Sequence, residues 1–261
     1  MIPVTETNVD GREALFNNCA QGPVHTIQVP TERITRLHGI LFDLDPKLLV
    51  PGNPLFPPAD DTRAFYAAVR PVLERHPLAR QAEVRSSGTG LHVILGLHPA
   101  VELLTEAEQR HWGAIVKMIQ CTLPIDPDMP GITALTRPVG SINSKNGAAV
   151  EILKPGAPVA VKVVEDYLTR LQRAPFREIA LPILGAERFQ PCPVCGRANS
   201  RLDVLDHIGK CYNGCSKITL DKLYDCILQP VKPENGSGGA TRPKAKNKTL
   251  VGLIKGKVAS N

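Results

Sequence analysis

The spacing of apolar and polar residues divides the chain into a patterned body and an unpatterned end. The short apolar run at 39–42, GILF, leads into acidic residues and Pro46, which predicts a core strand closed by the proline. After a proline-rich loop, Phe65, Val69, Val72 and Leu73 recur at helical spacing behind Asp60 or Asp61. This predicts a capped helix over 61–76 in spite of Pro71. The stretch AEVRSSGTGLHVILGL reads as a strand, a glycine turn at Gly88 to Gly90, and a second strand whose alternation is masked because both faces are buried. Over 105–121, Thr105 and Glu108 form a capping box, and Trp112, Ile115, Val116 and Ile119 make a single stripe, the signature of a core helix. AAVEIL at 148–153 predicts another strand, and Val164, Tyr167, Leu168 and Leu171 a closing amphipathic helix. Beyond about residue 175 the pattern breaks up. The expected organisation is an α/β (α+β) catalytic domain over 1–175, a linker over 176–190, a cysteine module over 191–230 and a tail over 231–261.

Composition adds limits. A chain of 261 residues with 43% hydrophobic content can bury one full-sized core plus an appendage. No apolar run approaches the roughly 18 to 20 residues that a membrane span needs, and MIPVTETNVDGREALF has neither a basic n-region nor an apolar h-region, so a cytoplasmic location is expected. The formal charge of +6 is concentrated in the tail, where seven lysines and arginines face Glu234 alone, and the remainder is neutral. That tail, rich in Pro, Gly, Ser and Lys, is expected to be disordered and able to touch a polyanion.

Three segments of the body carry candidate chemistry. In GILFDLDPKLL, Asp43 and Asp45 lie two apart on a strand, so they point to the same side and can share divalent cations. In VRSSGTGLHVIL, backbone N–H groups, Ser86, Ser87 and His92 can converge on phosphate oxygens around Gly90. In PIDPDMPGITALTRPVGSINSKNG, Asp126 follows an apolar residue; Arg137 comes eleven positions later, then a turn, Asn143 and Lys145. A basic residue on each side of a tight turn suits a phosphate clamp. The cysteine module reads Cys192-x2-Cys195, fifteen residues, then Cys211-x3-Cys215, close to the two-knuckle spacing of a structural zinc ribbon. His207 is not needed as a ligand beside four thiols, and Cys19, Cys121 and Cys226 lack ligand spacing.

Taken in order, the three segments resemble the archaeo-eukaryotic primase superfamily, particularly the primase-polymerases of phages and plasmids. The family's strand ending in Asp-x-Asp matches Asp43 and Asp45, its second motif ends in a histidine as at His92, and its apolar-Asp pair matches Ile125 and Asp126. RPVGSINSK is similar to the arginine-led turn of mobile-element members. Two positions depart: Gly90 stands where the family usually has serine, so that Ser86 or Ser87 would supply the hydroxyl, and Val139 replaces a proline.

The resemblance implies a core with an RNA-recognition-like mixed sheet and template-directed nucleotidyl transfer in the replication of a mobile element. Two magnesium or manganese ions would be held by Asp43, Asp45 and Asp126, although Asp128 and Glu151 compete for the third place. His92, Arg137 and Lys145 would meet the triphosphate, with Ser86, Ser87, Gly90 and Asn143 as its nearer surroundings. The implied partners are single-stranded DNA and nucleoside triphosphates, with a separate replicative helicase left open, since the chain carries no helicase motif. Two rivals remain at this stage. One is a non-catalytic nucleic-acid-binding protein that works through its ribbon. The other is a phosphatase of the haloacid-dehalogenase type, whose opening motif the run into Asp43 and Asp45 resembles, with Pro46 and Lys47 in place of that family's glycine and threonine.

Overall fold

A computed structural model describes residues 4–7, 13–15, 31, 34–51, 53, 55–56, 61–125, 129–143 and 146–229. The tail and residues 126–128, 144 and 145 lie outside that set, and with them the candidate site residues Asp126, Asp128 and Lys145. The class is α+β, with two antiparallel sheets. The larger has six strands in the order β2 (Glu13–Leu15), β1 (Val4–Thr7), β3 (Ile34–Leu44), β5 (Leu91–Glu102), β4 (Glu83–Ser86) and β6 (Ile152–Lys154). The smaller has four, ordered β10 (Ser216–Ile218), β9 (Gly209–Tyr212), β8 (Arg201–Val204) and β7 (Arg188–Phe189). Among the described residues no helix is long and apolar enough to cross a membrane.

The centre of the large sheet is the pair β3 and β5. Phe42, Val93 and Val84 are registered side by side across three strands and are fully buried. The edge of the His76 imidazole meets the Phe42 ring at 6.4 Å between centroids, and Tyr167 packs on the same imidazole at 5.4 Å. His76 thereby ties the sheet to helix α1 (Thr62–Arg75), which it caps, and to helix α3 (Val161–Arg173). Its Nδ1 accepts from the N–H groups of Leu78 and Ala79, and Nε2 contacts the Thr122 hydroxyl at 2.8 Å, so the buried ring is satisfied on both sides.

Helix α1 starts at the Asp61 cap and buries the four apolar residues expected of it, with Pro71 on its exposed side. Helix α2 (Glu106–Gln120) has the full Thr105–Glu108 capping box and the anticipated stripe. It also carries two buried glutamines outside that stripe's logic. Gln109 donates to the Ile34 carbonyl and Gln120 to the Leu41 carbonyl, which fastens α2 to β3 at two points.

Two expectations need correction. Only Ile152–Lys154 of the segment 148–153 and its continuation forms a strand; residues 148–150 exchange backbone hydrogen bonds with residues 140–143 instead. The Ser86 hydroxyl donates to the Ala149 carbonyl and accepts from the Glu151 N–H. The segment 176–190, expected to be a linker, instead contains helix α4 (Pro175–Leu184) and β7. Phe176, Ile179, Ala180, Ile183 and Leu184 make a buried helical stripe, hidden in the sequence by Pro175 and Pro182. Pro175 sits at the first helical turn, where no N–H is needed, and Gly185 ends the helix at φ +78°. Arg75 donates to the carbonyls of Pro182 and Ile183 at that end, offsetting the helix's terminal acceptors.

Phe176 also packs α4 against the small sheet: a side chain at Gly209 of β9 would lie 2.7 Å from its ring. Phe176→Ala is therefore expected to lower stability by about 3–5 kcal/mol. Leu104→Ala, at a site 70% exposed, should change it by less than about 0.5 kcal/mol. Chemical denaturation of the two variants provides the check, since in a true linker both changes would be silent.

Candidate functional site

The site is built by strand register. Asp43 pairs with His92, and His92 pairs on its other side with Arg85, so the three side chains form one row on one face of the sheet. Asp45 lies two residues beyond Asp43, where β3 ends. Its Oδ1 accepts from the Lys47 N–H at 2.9 Å and so caps the 3-10 turn Pro46–Leu48.

The glycine turn between β4 and β5 folds back against this row. The Ser87 N–H donates to the Gly90 carbonyl and the Gly90 N–H donates to Ser87 Oγ. Gly88 has φ +106°, and a Cβ there would fall on the Asn143 amide. At Gly90 a Cβ would lie 2.4 Å from the Leu44 carbonyl oxygen. A serine two places before the histidine is thus sterically refused, and the available hydroxyl is that of Ser87.

The loop 135–143 closes the other side. Arg137 and Asn143 both donate to the Ser87 carbonyl, at 2.5 and 2.8 Å, and Thr62 at the start of α1 donates to the Gly88 carbonyl at 3.0 Å. Between these elements lies a cavity of about 240 Å³ lined by Asp43, Asp45, Ser87, Thr89, Gly90, His92, Leu135, Arg137 and Asn143. Seven of these are candidate residues of the sequence analysis, drawn from three segments that lie far apart along the chain. Ser86 is not among them, since its hydroxyl is spent on the Ala149–Glu151 backbone. The Glu151 carboxylate pairs with Arg63 and does not line the cavity either.

Thr136 and Arg85 are site residues that no sequence motif marks. Thr136 is buried and its hydroxyl lies 2.7 Å from His92 Nδ1, which leaves Nε2 as the ring nitrogen available to the cavity. Arg85 is buried beside His92, bridged to Glu83, and donates to the Arg137 carbonyl. Nothing in the sequence announces it, because its role depends on pairing with β5. Burial, aided by Arg137 and Arg85, lowers the His92 pKa from its usual 6.5 to about 4, so the imidazole is neutral at pH 7. The cavity thus brings together two carboxylates, a neutral imidazole and a guanidinium.

The second cluster is the ribbon. The Sγ atoms of Cys192, Cys195, Cys211 and Cys215 all lie within 4.8 Å of one another, with Cys192–Cys215 and Cys195–Cys211 at 3.9 Å. Four thiolates around a tetrahedral zinc with bonds of about 2.3 Å would have sulfurs about 3.8 Å apart. The cluster fits that ion. A Cβ at Gly214 would sit 2.5 Å from the Cys195 sulfur, so the glycine keeps the cradle clear. His207 is exposed and belongs to no metal-ligand group among the described residues.

Beyond the ribbon, helix α5 (Leu220–Asp225) leads into residues that run against the turn following Asp45. Val50 N–H donates to the Ile227 carbonyl, Gln229 N–H to that of Leu48, and the Asn53 amide to that of Cys226 at 2.5 Å. The ribbon's exit therefore splints the segment that Asp45 caps.

This geometry is open to two measurements. The His92 ring, followed by NMR, should titrate near pH 4 and shift upward in Arg137→Ala, which removes one of the positive neighbours. In the sign of the linkage, the unfolded chain takes the proton first, so His92's contribution to stability is complete above pH 6.5 and is lost as pH falls towards 4. The second measurement is metal content with amide exchange. The protein should carry one zinc per chain, lost in Cys211→Ser, and the Val50 amide should then exchange faster as the 226–229 splint loosens.

No family model matches the chain, and no curated protein matches it. Among solved structures, the AEP domain of the cyanophage S-2L primase-polymerase aligns at 14% identity and a TM-score of 0.38, over 52% of this chain and 63% of that one. The aligned region therefore spans somewhat less than two thirds of that domain.

Proposed function

We propose that the chain is a nucleotidyl transferase of the primase-polymerase type, extending a nucleic-acid strand on a single-stranded DNA template. The observation that carries this reading is the convergence in one cavity of Asp43, Asp45, His92 and Arg137, the residues on which the motif resemblance rests. Magnesium or manganese ions held by Asp43, Asp45 and Asp126 would activate the attacking 3′-hydroxyl and take up charge on the leaving pyrophosphate.

The chain's own residues then divide the remaining work. The Arg137 guanidinium, fixed by the Ser87 carbonyl, is a preorganised cation for the triphosphate. With the Thr136 hydroxyl donating to Nδ1, His92 would present an Nε2–H to a phosphate oxygen without adding charge. The tight Ser87–Gly90 turn would let the triphosphate approach the backbone closely, and Lys145 would add a second cation. The ribbon, holding zinc through its four cysteines, would keep the turn after Asp45 in place.

The test is incubation of the full chain with single-stranded DNA, labelled nucleotides and manganese, with products sized on a gel. Asp43→Asn and Asp45→Asn should each reduce incorporation by about 10³-fold with the fold intact. Arg137→Ala should reduce turnover by about 10²-fold with less effect on template binding. Undiminished incorporation in either aspartate variant overturns the reading. Hydrolysis of small phosphoesters without a template would instead select the phosphatase alternative.

A further inference from the structure

The outward face of the ribbon sheet is largely exposed, and its composition is specific. Alternation along β8 and β9 sends Leu202, Val204 and Cys211 inward, to the core and the metal cradle. The other parity faces solvent. One row across all four strands reads Arg188, Asp203, Lys210, Lys217, by direct register from β7 to β10. The neighbouring row pairs Arg201 with Tyr212.

Charge on this face is unbalanced. The single carboxylate of the two rows, Asp203, is engaged by Arg201 at 2.9 Å and Arg188 at 4.0 Å. Lys210 and Lys217 make no salt bridge among the described residues, although they are directly opposed across β9 and β10. Like charges so placed destabilise a sheet, and an external polyanion would relieve that cost. At the end of β9 stands Tyr212, 36% exposed, with the Arg201 guanidinium and the Lys210 ammonium over its ring, 4.7 and 4.8 Å from the centroid. A partly exposed ring whose covering cations can shift onto phosphates suits an unpaired base with its phosphate. Duplex DNA hides its base faces and could use only the charges.

We propose that this face of the ribbon is a docking site for single-stranded nucleic acid, with one base stacked at Tyr212 and the adjoining phosphates on Lys210 and Lys217. As the landing place of a template it rests on the primase-polymerase reading; as a binder of single strands it does not.

The experiment measures binding of the full chain to a fluorescent oligothymidylate by anisotropy, without nucleotide and at several salt concentrations. The same strand annealed to its complement and poly-glutamate serve as comparison probes. Tyr212→Ala should weaken single-strand binding about tenfold and duplex binding little, with Tyr212→Phe close to the parent. Lys217→Glu should weaken binding and flatten its salt dependence by roughly 0.7 in the logarithmic slope for each phosphate no longer neutralised. Zinc content at the parent level in these variants shows that the ribbon is intact; Tyr212→Phe and Lys217→Glu keep the test sharp if Tyr212→Ala misfolds. Parent-like binding by Tyr212→Ala and Lys217→Glu at every salt concentration overturns the proposal. So does an equal loss for single strand, duplex and poly-glutamate, which would reveal a merely basic patch. Binding is read without nucleotide, and incorporation by the catalytic site in a separate assay, so a failure of the catalytic reading and a failure of this site are separately visible.

Discussion

The antiparallel pairing of β3 with β5 is the constraint on which the remaining architecture depends. It sets Phe42 against Val93 on one face and Asp43 against His92 on the other. Slipping β5 by one residue would turn His92 into the apolar layer around Phe42 and Val93 out of it. The buried layer of Phe42, Val93 and Val84 thus holds the polar row in place, and hydrophobic burial is what positions charged groups at the cavity. Gly90 completes this constraint, since only a residue without Cβ lets the start of β5 lie against the Leu44 carbonyl.

The cavity is organised as much by what is already bonded as by what is offered. The Ser87 carbonyl collects Arg137 and Asn143, the Gly88 carbonyl takes Thr62, and Thr136 engages one nitrogen of His92. Each of these hydrogen bonds fixes a rotamer that would otherwise have to be ordered when a ligand arrives. A guanidinium anchored in this way costs little further entropy on meeting a phosphate. The ribbon contributes at a distance: its exit segment lies along residues 47–53, so the stretch that follows the cysteine cluster and the turn that Asp45 caps are parts of one bonded network.

Several elements were legible from local pattern. The strand ahead of Asp43, the Asp61 cap, the Thr105–Glu108 box, the stripe of α3 and the spacing of the four cysteines depend on neighbours within a few residues, and such interactions are written in the sequence itself. The Asp43–Asp45 pair and His92 were visible for the same reason, as motif residues beside apolar runs. Helix α4 was not, because its two prolines mask a five-residue stripe that makes sense only once α1 and β9 are there to cover it.

What the tertiary structure alone decided lies in interactions between residues far apart in the chain. Sequence offered Ser86 and Ser87 as equivalent hydroxyls; the backbone of 149–151 takes the first and leaves the second at the cavity. It offered Glu151 as a carboxylate and the fold gave that group to Arg63. It carried no sign of Arg85 or Thr136, whose partners are 44 to 52 residues away. Local propensity is set by the nearest turn or strand, whereas a side chain's chemistry is set by whichever atoms burial brings against it. The sequence by itself determined most of the strands and helices and the cysteine spacing, and packing decided where α4 forms and which polar groups face one another.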